Sequence, residues 1–216
     1  MLHRTVKVRF TDFRGYSLQD GLSLGKEAAL GLVSVRMSWV AFHLDYVVFP
    51  PIIFACIAVS ARELDALHVI LLFALGLFVW TFAEYVLHRY ALHKWPYFAA
   101  FHEAHHDEPR AMVAAPTLFS VAFFFTLFYA PAWFFLGQSN ALAWFAGFLT
   151  GYVAFAAVHH MVHHAERHGK LLRYFKKLHA IHHHGDTGKN FGVTTHLWDV
   201  VFGTYSPNLK RKPGKA

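Results

Sequence analysis

Cysteine is nearly absent from this chain. Its 216 residues hold one, Cys56, which excludes an intrachain disulfide and argues against thiolate metal sites. The thiol is expected to pack as a small apolar residue. Charge is scarce as well. Asp, Glu, Lys and Arg make up 15% of the chain against 56% hydrophobic residues, a balance too apolar for an ordinary soluble domain. No cleavable signal peptide is visible, because the first 36 residues are mixed and polar and the first apolar run is long enough to stay as an anchor. No nucleic-acid recognition motif appears and the basic residues are scattered, so the net charge of +7 calls for another explanation.

What is present is hydrocarbon. Four runs reach the ~20 apolar residues that cross a bilayer: roughly 39–60, 66–87, 112–136 and 141–162. The first also carries Asp45 and the pair Pro50–Pro51. The linkers "ARELD" and "GQSN" are short enough to be tight helical hairpins on one side of the membrane. Of the 20 Lys and Arg, only Arg62 falls in those turns. That asymmetry places the other basic residues, and with them both termini, in the cytoplasm, beside anionic headgroups. The expected fold is all-α: a membrane domain of four transmembrane helices over residues 37–216 with a cytosolic, helical, His-rich cap. Residues 1–36 form a cytosolic or interfacial segment, in which "LSLGKEAALGLVSVRM" reads as an interfacial helix or a disordered lead-in.

Eighteen residues are His, and fourteen of them fall between His88 and His184, beyond the second or fourth span or at its end. "HEAHH" gives His102, His105 and His106, and "HAIHH" gives His179, His182 and His183. On a helix, positions i, i+3 and i+4 share a face, so each triplet presents three imidazoles in one direction. Chance supplies roughly a tenth of one such triplet at this His content; the chain has three, since His160, His163 and His164 also match. His88 and His93 are five apart, about 140° of rotation on an α-helix, and serve one site only if the helix ends, bends or bulges between them. The arrangement repeats: a hairpin, a His at the membrane edge, then HxxHH. Ten imidazoles suit two metal ions at four or five nitrogens each, and imidazole suits Zn, Cu, Fe and Ni. His3, His43, His68 and His168 are read as isolated polar residues.

The segments "EYVLHRYALH", "HEAHH", "VHHMVHH", "LHAIHH" and "FGVTTHLWDVVFGTY", in this order, resemble the fatty acid hydroxylase and sterol desaturase superfamily of membrane di-iron oxygenases. The resemblance runs from about Phe82 to Tyr205. It implies two iron ions, with zinc as a substitute after purification, and O₂ as co-substrate. It also implies external electrons and the hydroxylation or desaturation of a lipid. By this resemblance the metal residues are His88, His93, His102, His105, His106, His159, His163, His179, His182 and His183. The bare triplet reading instead favours His160 and His164, which stay in reserve with His184. Glu84, one turn before His88, is expected to accept a ligand His N–H or to pair with Arg89. Asp199 is expected to do similar work or to fix the C-terminal turn. The basic run "KLLRYFKK" resembles an amphipathic helix facing anionic lipid, with a redox-partner dock as the alternative.

Thirty-six residues leave no room for a cytochrome b5 domain before the membrane region, so the donor is expected to be a separate protein: a cytochrome b5-like protein, a ferredoxin or a reductase. Compactness suggests a bacterial inner membrane. "HHDEPRAMVAAP" lacks the Asp usual after Pro in fatty acid hydroxylases, which weakens an assignment to 2-hydroxylation. The leading function is a lipid hydroxylase acting on a fatty acyl chain; a desaturase or a carotenoid or sterol hydroxylase shares the metal site. A metal carrier needs ligands along a path through the spans, and a bis-His haem carrier needs paired His within the bilayer. Neither pattern is present.

Overall fold

The structure is a computed structural model and describes residues 35–166 and 169–208. His3, His168 and nearly all of the expected interfacial helix lie outside those residues. Two residues, β1 (Val35–Arg36), pair antiparallel with β2 (Val113–Ala114); the rest of the regular structure is helical.

Four apolar helical rods form the body, at Trp39–Ser60, Ala66–Leu92, Thr117–Leu136 and Gln138–His164. The first is broken at His43–Leu44 into α1 (Trp39–Phe42) and α2 (Asp45–Ser60). The second is α3 (Ala66–Val86), continued by a π-helical segment, Leu87–Leu92. The cap helix α4 (Pro96–Asp107) follows. The third span comprises α5 (Thr117–Phe124), a π turn (Phe125–Tyr129) and α6 (Ala130–Leu136). The fourth is α7 (Gln138–His164), and α8 (Lys170–His184) and α9 (Leu197–Val201) complete the cap.

Three boundaries differ from the sequence reading by three residues or more. The third span starts at Thr117 rather than 112, because Val113–Ala114 is held in the β pair and Pro116 caps the helix. The second runs on to Leu92. The expected "GQSN" linker shrinks to Gly137, whose φ of 78° turns the chain where a side chain would be strained. Asn140 Nδ2 donates to Leu136 O across that turn, at 2.8 Å. The two hairpin turns do lie together, since Ser139 Oγ donates to Glu63 Oε2 at 2.5 Å. The histidine-rich cap is at the other end.

Span four is the hub. Half of its apolar window is buried, against 11–22% for the other three, so those three turn most of their surface outward. Phe134, Phe135 and Leu118 are each about four-fifths exposed, a distribution suited to lipid and costly in water. In lipid, helices associate through close packing of small residues, and α3 and α7 show how. A Cβ on Gly76 would sit 1.8 Å from Trp144 O, and one on Gly147 would sit 1.9 Å from Phe73 O. Trp80, Phe124 and Phe148 fill the space beside this seam, and Cys56 is buried in the same core, as expected of it.

Because the obstacle at both glycines is backbone, Gly147→Val should cost at least the ~1–3 kcal/mol usual for overpacking. Gly169→Ala, with nothing within 4 Å of the new Cβ, should leave the protein unaffected. Thermal unfolding midpoints of the two variants in detergent check this.

Candidate metal centre

The π segment answers the question posed by His88 and His93. A π-helix bonds i to i+5, so residues five apart come onto one face. The two rings lie nearly parallel, with centroids 5.2 Å apart. Both belong to a first set with His102, His106 and His182. A second set comprises His105, His159, His163, His179 and His183. Within each set the nitrogens lie within 4.8 Å of one another.

The ten histidines named from sequence are therefore brought together, but not half by half. His105 leaves its triplet for the second set, and His182 leaves its own for the first. The i, i+4 pairs His102/His106, His159/His163 and His179/His183 each face one point, while the i+3 residue of each HxxHH turns to the other. At 3.6 residues per turn, positions i+3 and i+4 differ by about 100°, enough to serve two adjacent points. His106 and His183, one from each set, stack at 4.1 Å. His160 and His164 stack on each other at 4.3 Å outside both sets, and His184 is exposed.

The nitrogens converge in a specific way. In the first set, Nε2···Nε2 approaches are 2.9 Å for His88–His102 and 3.1 Å for His93–His182, His93–His102 and His102–His106. In the second they are 3.1 Å for His105–His159, 3.2 Å for His159–His163 and 2.8 Å for His163–His179. Imidazole nitrogens bind such ions at about 2.0–2.1 Å, which puts two donors at right angles about 3 Å apart. Both sets thus fit a metal ion with several right-angled ligand pairs.

The local field favours neutral rings. Burial first, and neighbouring imidazoles second, pull His93 and His105 down to about 4. Burial pulls His182 down to about 3, against the carbonyl hydrogen bond that opposes it. The same causes lower His102, His106, His179 and His183. His88 Nδ1 donates to Phe191 O at 2.5 Å, and His182 Nδ1 donates to Lys189 O at 2.8 Å. Their Nε2 atoms are left as bare lone pairs, which is the state a metal requires.

Those two carbonyls belong to a loop, residues 189–194, most of which the sequence reading quoted in "FGVTTHLWDVVFGTY" without giving it a role. Asp199, fully buried, accepts from the N–H of Phe191 at 2.9 Å and of Gly192 at 2.8 Å. Glu84, buried at the end of α3, accepts from the N–H of Val193 at 2.5 Å and of Thr194 at 3.0 Å, and from the Thr194 hydroxyl. Among the described residues Glu84 has neither expected partner: it bonds no histidine there, and Arg89 donates instead to the Tyr85 hydroxyl. Desolvated backbone N–H groups lie nearer to its oxygens and need acceptors. Gly192 permits the close approach, since a Cβ there would stand 1.9 Å from Thr195 O. Buried Asn190, at φ 54°, bonds Leu178 O and Ser206 O and fixes the loop's other side. The clue available in sequence was "NFG" between the last His triplet and "HLWD".

Beside the two sets lies a cavity of about 340 Å³. His88, His102, His105, His159 and His163 stand on its wall with Phe119, Phe123 and Leu127. An alkyl chain in this space meets both sets.

Two outcomes follow. The loop holds only the first set, so Asp199→Ala should weaken that set's metal affinity by about 10–100-fold and leave the second loaded; elemental analysis should find roughly half the wild-type metal. In metal-free protein, the depressed folded values mean that the unfolded chain binds more protons between about pH 6.5 and 4. Stability should therefore fall as pH drops through that window, read as a lower thermal midpoint at pH 5 than at pH 7.

The fatty acid hydroxylase family model matches residues 73–204, more than half of the chain. The chain is 34% identical over 169 residues to dihydroceramide fatty acyl 2-hydroxylase FAH1 of Arabidopsis thaliana, covering 73% of this chain and 70% of that protein. It is 36% identical over 170 residues to ceramide very long chain fatty acid hydroxylase SCS7 of Saccharomyces cerevisiae, covering 72% of this chain and 43% of the yeast protein. It thus spans less than half the length of that relative. The solved structure of full length scs7p, with only its hydroxylase domain visible, superposes with a TM-score of 0.71 at 31% identity, over 81% of this chain and 73% of that one. With the matched region taking in the π segment, the cap and all ten clustered histidines, the chain belongs to the fatty acid hydroxylase family.

Proposed function

We propose that this protein is a membrane di-iron hydroxylase that adds oxygen from O₂ to the acyl chain of a lipid, at the 2-position named for its relatives. The observation that carries this is the pair of five-imidazole sets on the wall of one apolar cavity. Replacing a C–H by a C–OH bond is an oxidation that acid–base side chains cannot perform, and bound iron with O₂ would supply the oxidant. The chain's own residues do the rest. His88, His93, His102, His106 and His182 would hold one ion, and His105, His159, His163, His179 and His183 the other. All-imidazole sites also accept zinc. Glu84 and Asp199 act as positioning residues through the loop 189–194 and touch no substrate.

Phe119, Phe123 and Leu127 keep water from the reacting carbon and guide the chain. Electrons come from a separate donor protein. The histidine-rich end faces the cytoplasm, as the distribution of Lys and Arg argues.

The test is lipid mass spectrometry on hosts that make wild type or His182→Ala, His183→Ala protein, with iron loading and a working electron donor confirmed. The expected result is a lipid heavier by one oxygen in wild type only. A product lighter by two hydrogens would replace this reading with a desaturase, and no histidine-dependent product would overturn lipid oxidation.

A further inference from the structure

The last part of the cap turns back toward the membrane. At Val193 and Thr194 the chain is level with Glu84, to which both N–H groups donate. Four residues on, the Trp198 ring packs against Phe78 and Phe82, with centroids 5.7 and 4.8 Å away. The chain then climbs. Phe202 stacks on Tyr85 at 5.2 Å, and the hydroxyls of Tyr85 and Thr204 share a hydrogen bond at 3.1 Å. Residues 193–204 thus descend along one face of α3 and return, with α9 (Leu197–Val201) at the bottom.

The far end of the span sets the depth of that descent. Helix α3 starts at Ala66, directly after the polar turn that holds Glu63 and Asp65. Phe78 and Phe82 are twelve and sixteen residues further on, about 18 and 24 Å along the helix. Both fall within the ~30 Å of hydrocarbon that begins at that turn. Trp198, in contact with both, is therefore below the headgroups.

The composition of α9 suits hydrocarbon. Its one charged side chain, Asp199, points inward and is fully buried. Leu197, Val200, Val201 and the following Phe202 are 43–59% exposed. Exposed Phe78 and Phe82 of α3 continue the same apolar surface. Backbone groups in lipid have no water to bond, and here the chain supplies the partners itself. The N–H groups of Val200 and Phe202 donate to His196 O and Trp198 O, and those of Thr204 and Tyr205 both donate to Asp199 O. The indole N–H of Trp198 donates to Thr81 Oγ1 at 2.9 Å, and that hydroxyl donates to Phe78 O at 2.7 Å. Water would serve that indole without help; hydrocarbon would not.

We propose that α9 is a re-entrant hook whose outer face is covered by acyl chains of the bilayer, and that this lipid contact seats the loop braced by Asp199. One face of α9 meets lipid. The other carries the carboxylate that accepts from the N–H groups of Phe191 and Gly192. Lifting α9 into water exposes its apolar face and draws Asp199 away from the loop.

The test places nitroxide labels at Val200→Cys and, separately, at Val201→Cys in full-length Cys56→Ala protein. Electron paramagnetic resonance reads them in vesicles of phosphatidylcholine with a minor share of phosphatidylglycerol. Leu75→Cys on α3 and Glu103→Cys on α4, both exposed positions, supply the hydrocarbon and water references. Both α9 labels should relax with O₂ and not with a water-soluble nickel chelate, as the Leu75 label does. Relaxation by the chelate at the level of the Glu103 label would overturn the hook. Labels immobilised and shielded from both relaxants would also overturn it, since they would mean protein cover such as a second copy of the chain. Hydrogen exchange in the same vesicles tests the seating of the loop. In Val200→Glu, Val201→Glu protein the amides of residues 191–194 should exchange at least about tenfold faster than in wild type. Val200→Ala, Val201→Ala protein, which keeps α9 apolar, should match wild type. Unchanged exchange in the Glu variant, or equal acceleration in both variants, would overturn the seating role. Both readouts stand apart from the oxidation of any lipid.

Discussion

Lone pairs on neutral imidazoles repel when turned toward one point, and this chain turns five toward each of two points. Nitrogen approaches near 3 Å gain nothing by themselves. The shape is held by elements that have other reasons to be where they are. Span four is fixed by the glycine seam with α3, and that seam sets the height of His159 and His163. The π segment supplies His88 and His93, and the cap helices α4 and α8 bring in the other six rings.

The two sets are not supported alike. The first has a covalently remote but rigid brace: carboxylates of Glu84 and Asp199 bind four consecutive backbone N–H groups of residues 191–194. The carbonyls of Phe191 and of Lys189, two residues earlier, orient His88 and His182. Negative charge thus reaches the histidines through peptide groups rather than by direct contact. In the second set, Nδ1 of His179 and of His183 has no hydrogen-bond partner, so those rings are aimed by helix packing and by the stack between His106 and His183. Hydrogen bonds thus orient two rings of the first set, whereas His106 of that set and His179 and His183 of the second are aimed by packing, a difference that invites unequal affinity at the two positions.

Much of this was legible in the sequence because helical periodicity is strong information. The spans and the hairpins on one side follow from apolar run length, and the two outer His triplets from i, i+3, i+4 spacing; the choice of His159 over His160 came from the family resemblance alone. The sorting of His105 and His182 was hidden by the same rule that revealed the triplets. Treating i+3 and i+4 as one face discards the 100° between them, and that angle decides which set each ring joins. His159 against His160 is a similar case: adjacent letters, of which only the first joins a histidine set. The loop 189–194 left a faint trace because its contribution is made by backbone carbonyls and N–H groups, which every residue carries. The role of Glu84 was misplaced for a related reason, since a carboxylate near histidines suggests a side-chain partner while peptide N–H groups were closer.

The π segment has a consequence for how this chain can vary in length. It is one residue's worth of extra chain in a helix that otherwise keeps the α repeat, and everything from His93 to the end of α4 hangs from it. Removing a single residue between His88 and His93 leaves them four apart on an ordinary helix and still on one face, whereas adding one swings the descending chain by about 100° and carries His93 away from His88. The turn at 61–65 lies at the far end of the bundle, where added residues disturb neither set. Tolerance to insertion is therefore polarised along the membrane normal, with slack at one end and little at the other.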